Sequence, residues 1–168
     1  ALAGGFALGL TPQEMQAGLR NIEGTKMRYE TESVGAWMFI NDAYNASPSS
    51  MRAALETTAA LYPGRKIAVL GDMLELGAAA EEAHRMIGRR AAELGFAAVV
   101  TYGPQARWIH EAAEETGCAA CFHAETHEEA AQLLRKILSD GDTVLFKGSR
   151  GMRMEQVIAL LTGEKAGH

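Results

Sequence analysis

Trp37-Met-Phe-Ile-Asn-Asp-Ala-Tyr-Asn-Ala-Ser-Pro-Ser-Ser-Met51 runs from an apolar segment, through a polar turn, into the first turn of a helix. Trp37 to Ile40 carries the large apolar residues of a buried strand. Ser47 followed by Pro48 is a helix N-cap with proline at the first helical position, where its missing N–H costs nothing. Between the two, Asp42, Tyr44 and Asn45 stand at the strand's carboxyl end, the edge at which α/β sheets hold ligands. The same order of strand, polar loop and helix then repeats down the chain.

Upstream, Met27 to Val34 alternates like a half-exposed strand, and Gly35 offers the turn that would pair it with 37–40 as an edge hairpin. Earlier still, Thr11-Pro-Gln-Glu14 is a capping box, with Met15, Gly18 and Leu19 giving its helix a short apolar face as far as Arg20–Asn21. Ile22 to Thr25 reads as a linker, so residues 1–25 are expected to close an upstream domain and 26–168 to form an α/β domain. The apolar start, Ala-Leu-Ala-Gly-Gly-Phe, has neither an initiator Met nor the basic region of a signal peptide, and a piece of a longer chain is expected.

Downstream, Met51, Ala54, Leu55, Thr58 and Leu61 fall on one face of a helix that Pro63-Gly64 ends. Lys66 to Leu70 is a short run of the buried parallel kind. Gly71 to Gly77 is a loop, and a helix follows from about Ala78 to Leu94. Ala97 to Tyr102 is the next strand, with Gly103-Pro104 opening a helix to Thr116. Ala119 to His123 is a strand, and Thr126-His-Glu-Glu129 is a second capping box for a helix to about Leu138. Thr143 to Phe146, the loop Lys147 to Gly151 and a helix from Met152 to Leu161 complete the pattern. Such alternation calls for a mostly parallel sheet with helices on both faces.

The composition, 48% hydrophobic and 22% charged, suits an ordinary core. A net charge of −5 argues against nucleic acid or an anionic membrane as a partner, and no apolar run approaches the length of a membrane span. Cys118 and Cys121 form a C-x-x-C, for which a zinc or redox role would need His110, His123 or His127 as partners. Residues three apart in a strand point to opposite faces, and no second ligand pair has zinc spacing. Two unpaired thiols fit a reducing cytosol, and no metal site is assigned.

Three polar loops remain at the carboxyl edge: Asn41 to Ser47, Gly71 to Gly77 and Lys147 to Arg150. Asp42 suits a ribose or a cation, or an Asx turn. Asn45 suits a base edge or a peptide, or a turn. Asp72 suits a substrate ammonium, or a cap for the next helix, and Glu75 and His84 are equally two-sided. Lys147-Gly-Ser-Arg150 is the best anion site, since a cation, a hydroxyl, backbone donors and a helix start are expected to converge there. Arg28, just past the linker, is a further cation. The chain contains neither G-x-x-x-x-G-K-[ST] nor a helix-opening G-x-G-x-x-G, so it has no phosphate loop of its own.

Asp42-Ala-Tyr-Asn-Ala-Ser-Pro48 with Ser50-Met51, Ala68-Val-Leu-Gly-Asp-Met73 with Glu75-Leu-Gly77, and Leu145-Phe-Lys-Gly-Ser-Arg150 with Met154-Glu155 together resemble the C-terminal part of the Mur ligase family, in its D-alanyl-D-alanine-adding (MurF) branch. The likeness covers essentially the whole chain. It departs at Asn41, where two acids in a row are usual, and at Ser47, where Asn is usual. The resemblance implies a Rossmann-like domain of a cytoplasmic, monomeric bacterial ligase of peptidoglycan synthesis, with ATP, Mg2+, D-Ala-D-Ala and UDP-N-acetylmuramoyl-tripeptide as its small-molecule partners. It implies that ATP and Mg2+ are held mainly by a central domain upstream, and that this domain closes over them and is inactive alone. By it, Arg28, Asp42, Tyr44 and Asn45 would meet the nucleotide. Lys147, Ser149 and Arg150 would act near the dipeptide or the transferred phosphate, with Asp72 and Ser47 as further substrate contacts. A sister amino-acid ligase (diaminopimelate-adding, glutamate-adding or folylpolyglutamate-type) is one alternative, and a stand-alone flavodoxin-like binding module is another.

Overall fold

The computed structural model describes residues 27–163. The helix expected from Thr11, the linker near Gly24 and the domain boundary there lie outside the described residues. Strands β1 (Glu30–Val34) and β2 (Trp37–Asp42) form the expected antiparallel hairpin around Gly35, whose φ of 59° is the left-handed turn a glycine tolerates. There follow helix α1 (Pro48–Leu61), strand β3 (Lys66–Gly71), helix α2 (Ala80–Glu93), strand β4 (Ala98–Tyr102) and helix α3 (Arg107–Glu115). Strand β5 (Cys121–Ala124), helix α4 (His127–Ile137), strand β6 (Thr143–Lys147) and helix α5 (Glu155–Thr162) complete the domain. The sheet order is β1-β2-β6-β3-β4-β5, and every pair after the hairpin is parallel.

Strand alternation divides the interior into two cores. Ile40, Ala68, Leu70, Val99 and Leu145 face α1, α2 and α3, meeting Met51, Leu55, Ile87 and Ile109. Their neighbours Phe39, Ile67, Val69, Val100, Val144 and Phe146 face α4 and α5, meeting Ala130, Leu134 and Val157. β3 is buried at every position because helices cover both of its faces. The steps β2 to β3, β3 to β4 and β4 to β5 run one way across the sheet, so right-handed crossovers place α1, α2 and α3 on one side. The step from β5 back to β6 runs the other way and places α4 on the opposite side. β6 therefore sits between β2 and β3 with its outgoing loop turned toward the second face, which opens a crevice at the carboxyl edge.

Two boundaries differ from the sequence reading. The helix after Gly103-Pro104 begins at Arg107, after a tighter turn in which the Trp108 N–H reaches only three residues back to the Gln105 carbonyl, and the Asp72 carboxylate caps the N–H groups of Gln105 and Ala106. At Thr126 only half of the capping box forms. The Thr126 hydroxyl accepts from the Glu129 N–H, but the Glu129 carboxylate takes the N–H of Glu125, one residue too early. At Ser47 the box closes in full, with Ser50 as the reciprocal partner.

Helices α2 and α3 cross closely at Gly88, where a Cβ would lie 2.2 Å from the Ile109 carbonyl oxygen and 3.0 Å from the Ala112 Cβ. Alanine in place of a mid-helix glycine ordinarily gains about 1 kcal/mol of helix propensity. Here the obstacle is a backbone oxygen, which no rotamer change relieves, so overpacking at about 1–3 kcal/mol dominates. Gly88→Ala is expected to lower the urea midpoint without changing the slope of the transition.

Candidate functional site

Asp42 and Lys147 are the last residues of β2 and β6 and stand opposite each other in register. Two residues on from Ile40 and Leu145, both side chains emerge on the α1 side of the sheet. There they meet. The Lys147 Nζ is 2.6 Å from Asp42 Oδ2, 2.9 Å from the Asn45 carbonyl oxygen and 3.4 Å from the Asp42 carbonyl oxygen. An ammonium has three N–H bonds, and all three are engaged. Lys147 is 2% exposed, whereas the Asp42 side chain keeps 17% of its surface in solvent.

The other Asp42 oxygen accepts the Tyr29 N–H at 3.1 Å, and the Tyr44 N–H donates to the Met27 carbonyl at 3.0 Å. Segment 27–29 is thus stitched to the turn after β2, with Met27 and Tyr29 held at φ of 65° and 50°. The Tyr29 hydroxyl reaches the buried Thr58 on α1 at 3.0 Å, and burial pushes that phenol above its ordinary pKa. Between these anchors Arg28 is exposed, with its guanidinium 4.5 Å from the centroid of the Tyr44 ring. Tyr44 is itself 42% exposed. Asn45 spends its side-chain oxygen on the Ala46 N–H, and its amide nitrogen has no protein partner among the described residues.

These groups line a cleft of about 350 Å3 at the carboxyl edge. Of the residues singled out in the sequence, Arg28, Asp42, Tyr44, Asn45, Ser47 and Lys147 come together here. Ser47 does so as the N-cap of α1, its hydroxyl accepting from Ser50. Tyr29 and Ser50 are additional walls that the sequence reading missed. Ser50 was legible as the N3 residue of the capping box, but nothing in the sequence marked Tyr29.

The expected anion site at 147–150 does not assemble. Lys147 turns into the cleft and is spent there. Ser149 is 5% exposed, accepting the Leu74 N–H on its hydroxyl and donating its own N–H to the Asp72 carbonyl. Gly148 packs against another strand end: a Cβ there would lie 3.1 Å from the Gly71 Cα and 2.9 Å from the Met154 Cγ. Arg150 is exposed and paired with Glu155 at 2.7 Å, and the next helix starts only at Glu155. The cation, the hydroxyl and the helix start therefore point to different places.

Asp72 is corrected as well. It is 1% exposed, and its Oδ1 accepts from Gln105 at 3.1 Å and Ala106 at 2.6 Å, so it caps the turn into α3 and meets no solvent. Burial raises its pKa, against the pull of those two N–H groups. His84 also proves structural. Its Nδ1 donates to the Ala80 carbonyl at 2.7 Å, leaving Nε2 to accept the Met73 N–H at 2.9 Å. Cys118 lies before β5 rather than in it, so both thiols pack against the α1–α3 core instead of facing opposite ways. Both are free, and burial pushes the Cys121 thiol up to about 12. Among the described residues no group of three or more His, Cys, Asp or Glu is set to hold a metal.

Residues 27–150 match the family model for the Mur ligase glutamate ligase domain. A UDP-N-acetylmuramoyl-tripeptide–D-alanyl-D-alanine ligase of Bacillus subtilis is 37% identical over 161 residues, covering 94% of this chain and 35% of that protein. The Escherichia coli enzyme of the same name is 32% identical over 164 residues, covering 96% and 35%. Among solved structures, the MurF ligase of Thermotoga maritima in complex with ADP aligns with a TM-score of 0.82 at 28% identity, over 97% of this chain and 36% of that one. The chain thus spans about a third of the length of the relatives it matches.

Two consequences are measurable. Lys147→Met would leave the Asp42 carboxylate without its cation in a largely buried place. The expected loss is roughly 3 kcal/mol, at the low end for a broken buried pair because Asp42 keeps a wet edge. Denaturant titration of Lys147→Met, Asp42→Asn and the double variant measures the coupling. Burial holds the His84 pKa below its ordinary value of 6.5. As pH falls below that value the unfolded chain takes up a proton that the folded chain resists, so stability declines toward acid. His84→Gln is expected to flatten the pH dependence of the urea midpoint in that window, leaving the part due to His123, whose pKa burial also lowers.

Proposed function

The chain belongs to the Mur ligase family through its glutamate ligase domain, and we propose that it works as the C-terminal domain of an ATP-dependent amide-bond ligase that joins D-Ala-D-Ala to UDP-N-acetylmuramoyl-tripeptide. In this reading residues 1–25 end the central ATP-binding domain and 26–168 form the closing domain. The enzyme is a cytoplasmic monomer of peptidoglycan synthesis. No helix among the described residues is long and apolar enough to cross a membrane.

The observation that carries the reading is the cleft in which Arg28 lies over Tyr44 beside the Asp42 carboxylate. The tyrosine face and guanidinium offer a flat, cationic surface to a nucleotide, the carboxylate accepts from ribose hydroxyls, and the Asn45 amide donates. The ADP named in the Thermotoga MurF complex supports a nucleotide as the occupant. Because the chain lacks a phosphate loop, the cleft serves as one wall, and the triphosphate is gripped by the domain that faces it. Mg2+ belongs with that opposite wall. The charge of this lip's carboxylate is matched by Lys147, and among the described residues no group of three or more His, Cys, Asp or Glu is set to hold a metal beside it.

Within the family reaction, ATP phosphorylates the tripeptide carboxylate, the dipeptide amine attacks the acyl phosphate, and phosphate leaves. This chain's part is to close over the nucleotide, exclude water and bring the dipeptide to the acyl group. Arg150, exposed at the end of the β6 loop, is a cation that an anionic substrate group reaches by displacing the Glu155 carboxylate. Ser149 acts by holding the 71–77 loop at Leu74.

Isothermal titration of this chain with ATP is expected to show weak or no binding, and tight micromolar affinity would overturn the one-wall reading. In the full-length ligase Arg28→Ala is expected to raise the KM for ATP roughly tenfold and leave that for D-Ala-D-Ala unmoved. An unchanged KM for ATP would remove Arg28 from the nucleotide site.

A further inference from the structure

We infer that Lys147 is a positioning residue for the nucleotide, acting through Asp42 and the turn that follows it, and that it touches neither the dipeptide nor the phosphate in transfer. The inference rests on the reading of the cleft as a nucleotide lip and assigns the charge at its base.

The geometry leaves the ammonium nothing to give. Its three acceptors are the Asp42 carboxylate and the carbonyls of Asp42 and Asn45, which mark the two ends of the lip turn. One cation therefore ties both ends of that turn to the end of β6. An anion reaching Nζ would have to displace one of these acceptor oxygens from an N–H and enter a position with 2% exposure. The bond to Oδ2 also fixes the carboxylate. With Tyr29 N–H on Oδ1 and Lys147 on Oδ2, two of its roughly four lone-pair positions are filled. Two remain, one on each oxygen, and the side chain keeps 17% of its surface in solvent, which suits a vicinal diol offering two O–H donors. Lys147 thus decides which lone pairs of Asp42 a ribose meets.

The test is a split of kinetic constants in the full-length ligase. Lys147→Met is expected to raise the KM for ATP roughly tenfold, with the KM for D-Ala-D-Ala held within about twofold. The same substitution in an Asp42→Ala background is expected to add little, as it should for a residue acting through Asp42. Gly88→Ala, destabilised far from the lip, controls for stability and should leave both constants unmoved. Lys147→Arg keeps the charge but not three divergent bonds, and should give the same split in smaller measure. It serves if the methionine variant does not fold. A rise in the dipeptide KM, or a fall in kcat with the KM for ATP unmoved, would overturn the assignment. Unchanged KM for ATP in both Asp42→Ala and Arg28→Ala would instead bring down the nucleotide reading itself, and the role of Lys147 with it.

Discussion

The contact on which the carboxyl edge depends is the ion pair between Lys147 and Asp42. A lysine at 2% exposure is unfavourable unless every one of its protons is matched, because desolvation of an ammonium costs several kcal/mol. The fold matches them with one carboxylate and two carbonyls, from the end of β2 and the turn after it. That arrangement exists only because β6 inserts between β2 and β3 in a register that sets Asp42 beside Lys147. A slip of one residue would turn Lys147 toward the α4–α5 core, where Val144 and Phe146 now pack. Sheet order, strand register and lip geometry are therefore one constraint.

The rest of the edge follows the same economy, with side chains spent on the backbone of neighbouring loops. Asp72 caps the turn into α3, Ser149 holds Leu74, and His84 holds Met73. These bonds join the loops after β3, β4 and β6 into one rim. The close approach of Gly71, Gly148 and Met154 fills the space beneath it. Glu75, at a φ of 66°, and Arg153, at 47°, are non-glycine residues that this rim holds in the left-handed region.

Much of this was legible in the sequence, and the limit has a physical cause. Two-residue alternation and apolar runs mark all six strands, and the Ser47-Pro48 pair marks the start of α1 to the residue. The carboxyl-edge rule picks out Asp42, Tyr44, Asn45 and Ser47, which do share a cleft with Arg28 and Lys147. What local pattern cannot reveal is how a polar side chain is employed. Lys147 in Lys-Gly-Ser-Arg reads as a free cation until its partner, 105 residues earlier, is brought beside it. Asp72 reads as a cap for the helix that follows it in sequence, but it caps α3 instead, 33 and 34 residues on. His84 stays two-sided in the sequence, because its role depends on where the 71–77 loop folds back.

The lip's remaining charge completes the argument about division of labour. Lys147 is buried and saturated, so it fixes shape and contributes little to the attraction of a ligand. Arg28 is the reverse, an exposed guanidinium held over an aromatic ring by two flanking backbone anchors, at Met27 and Tyr29. Such a cation is prepositioned but solvated, and a solvated charge gains strength only when water is excluded around it. A surface of this kind binds weakly when open and firmly when another wall closes against it. Under the proposed function, that behaviour suits a domain that admits a nucleotide, commits it during acyl-phosphate formation and releases the product afterwards.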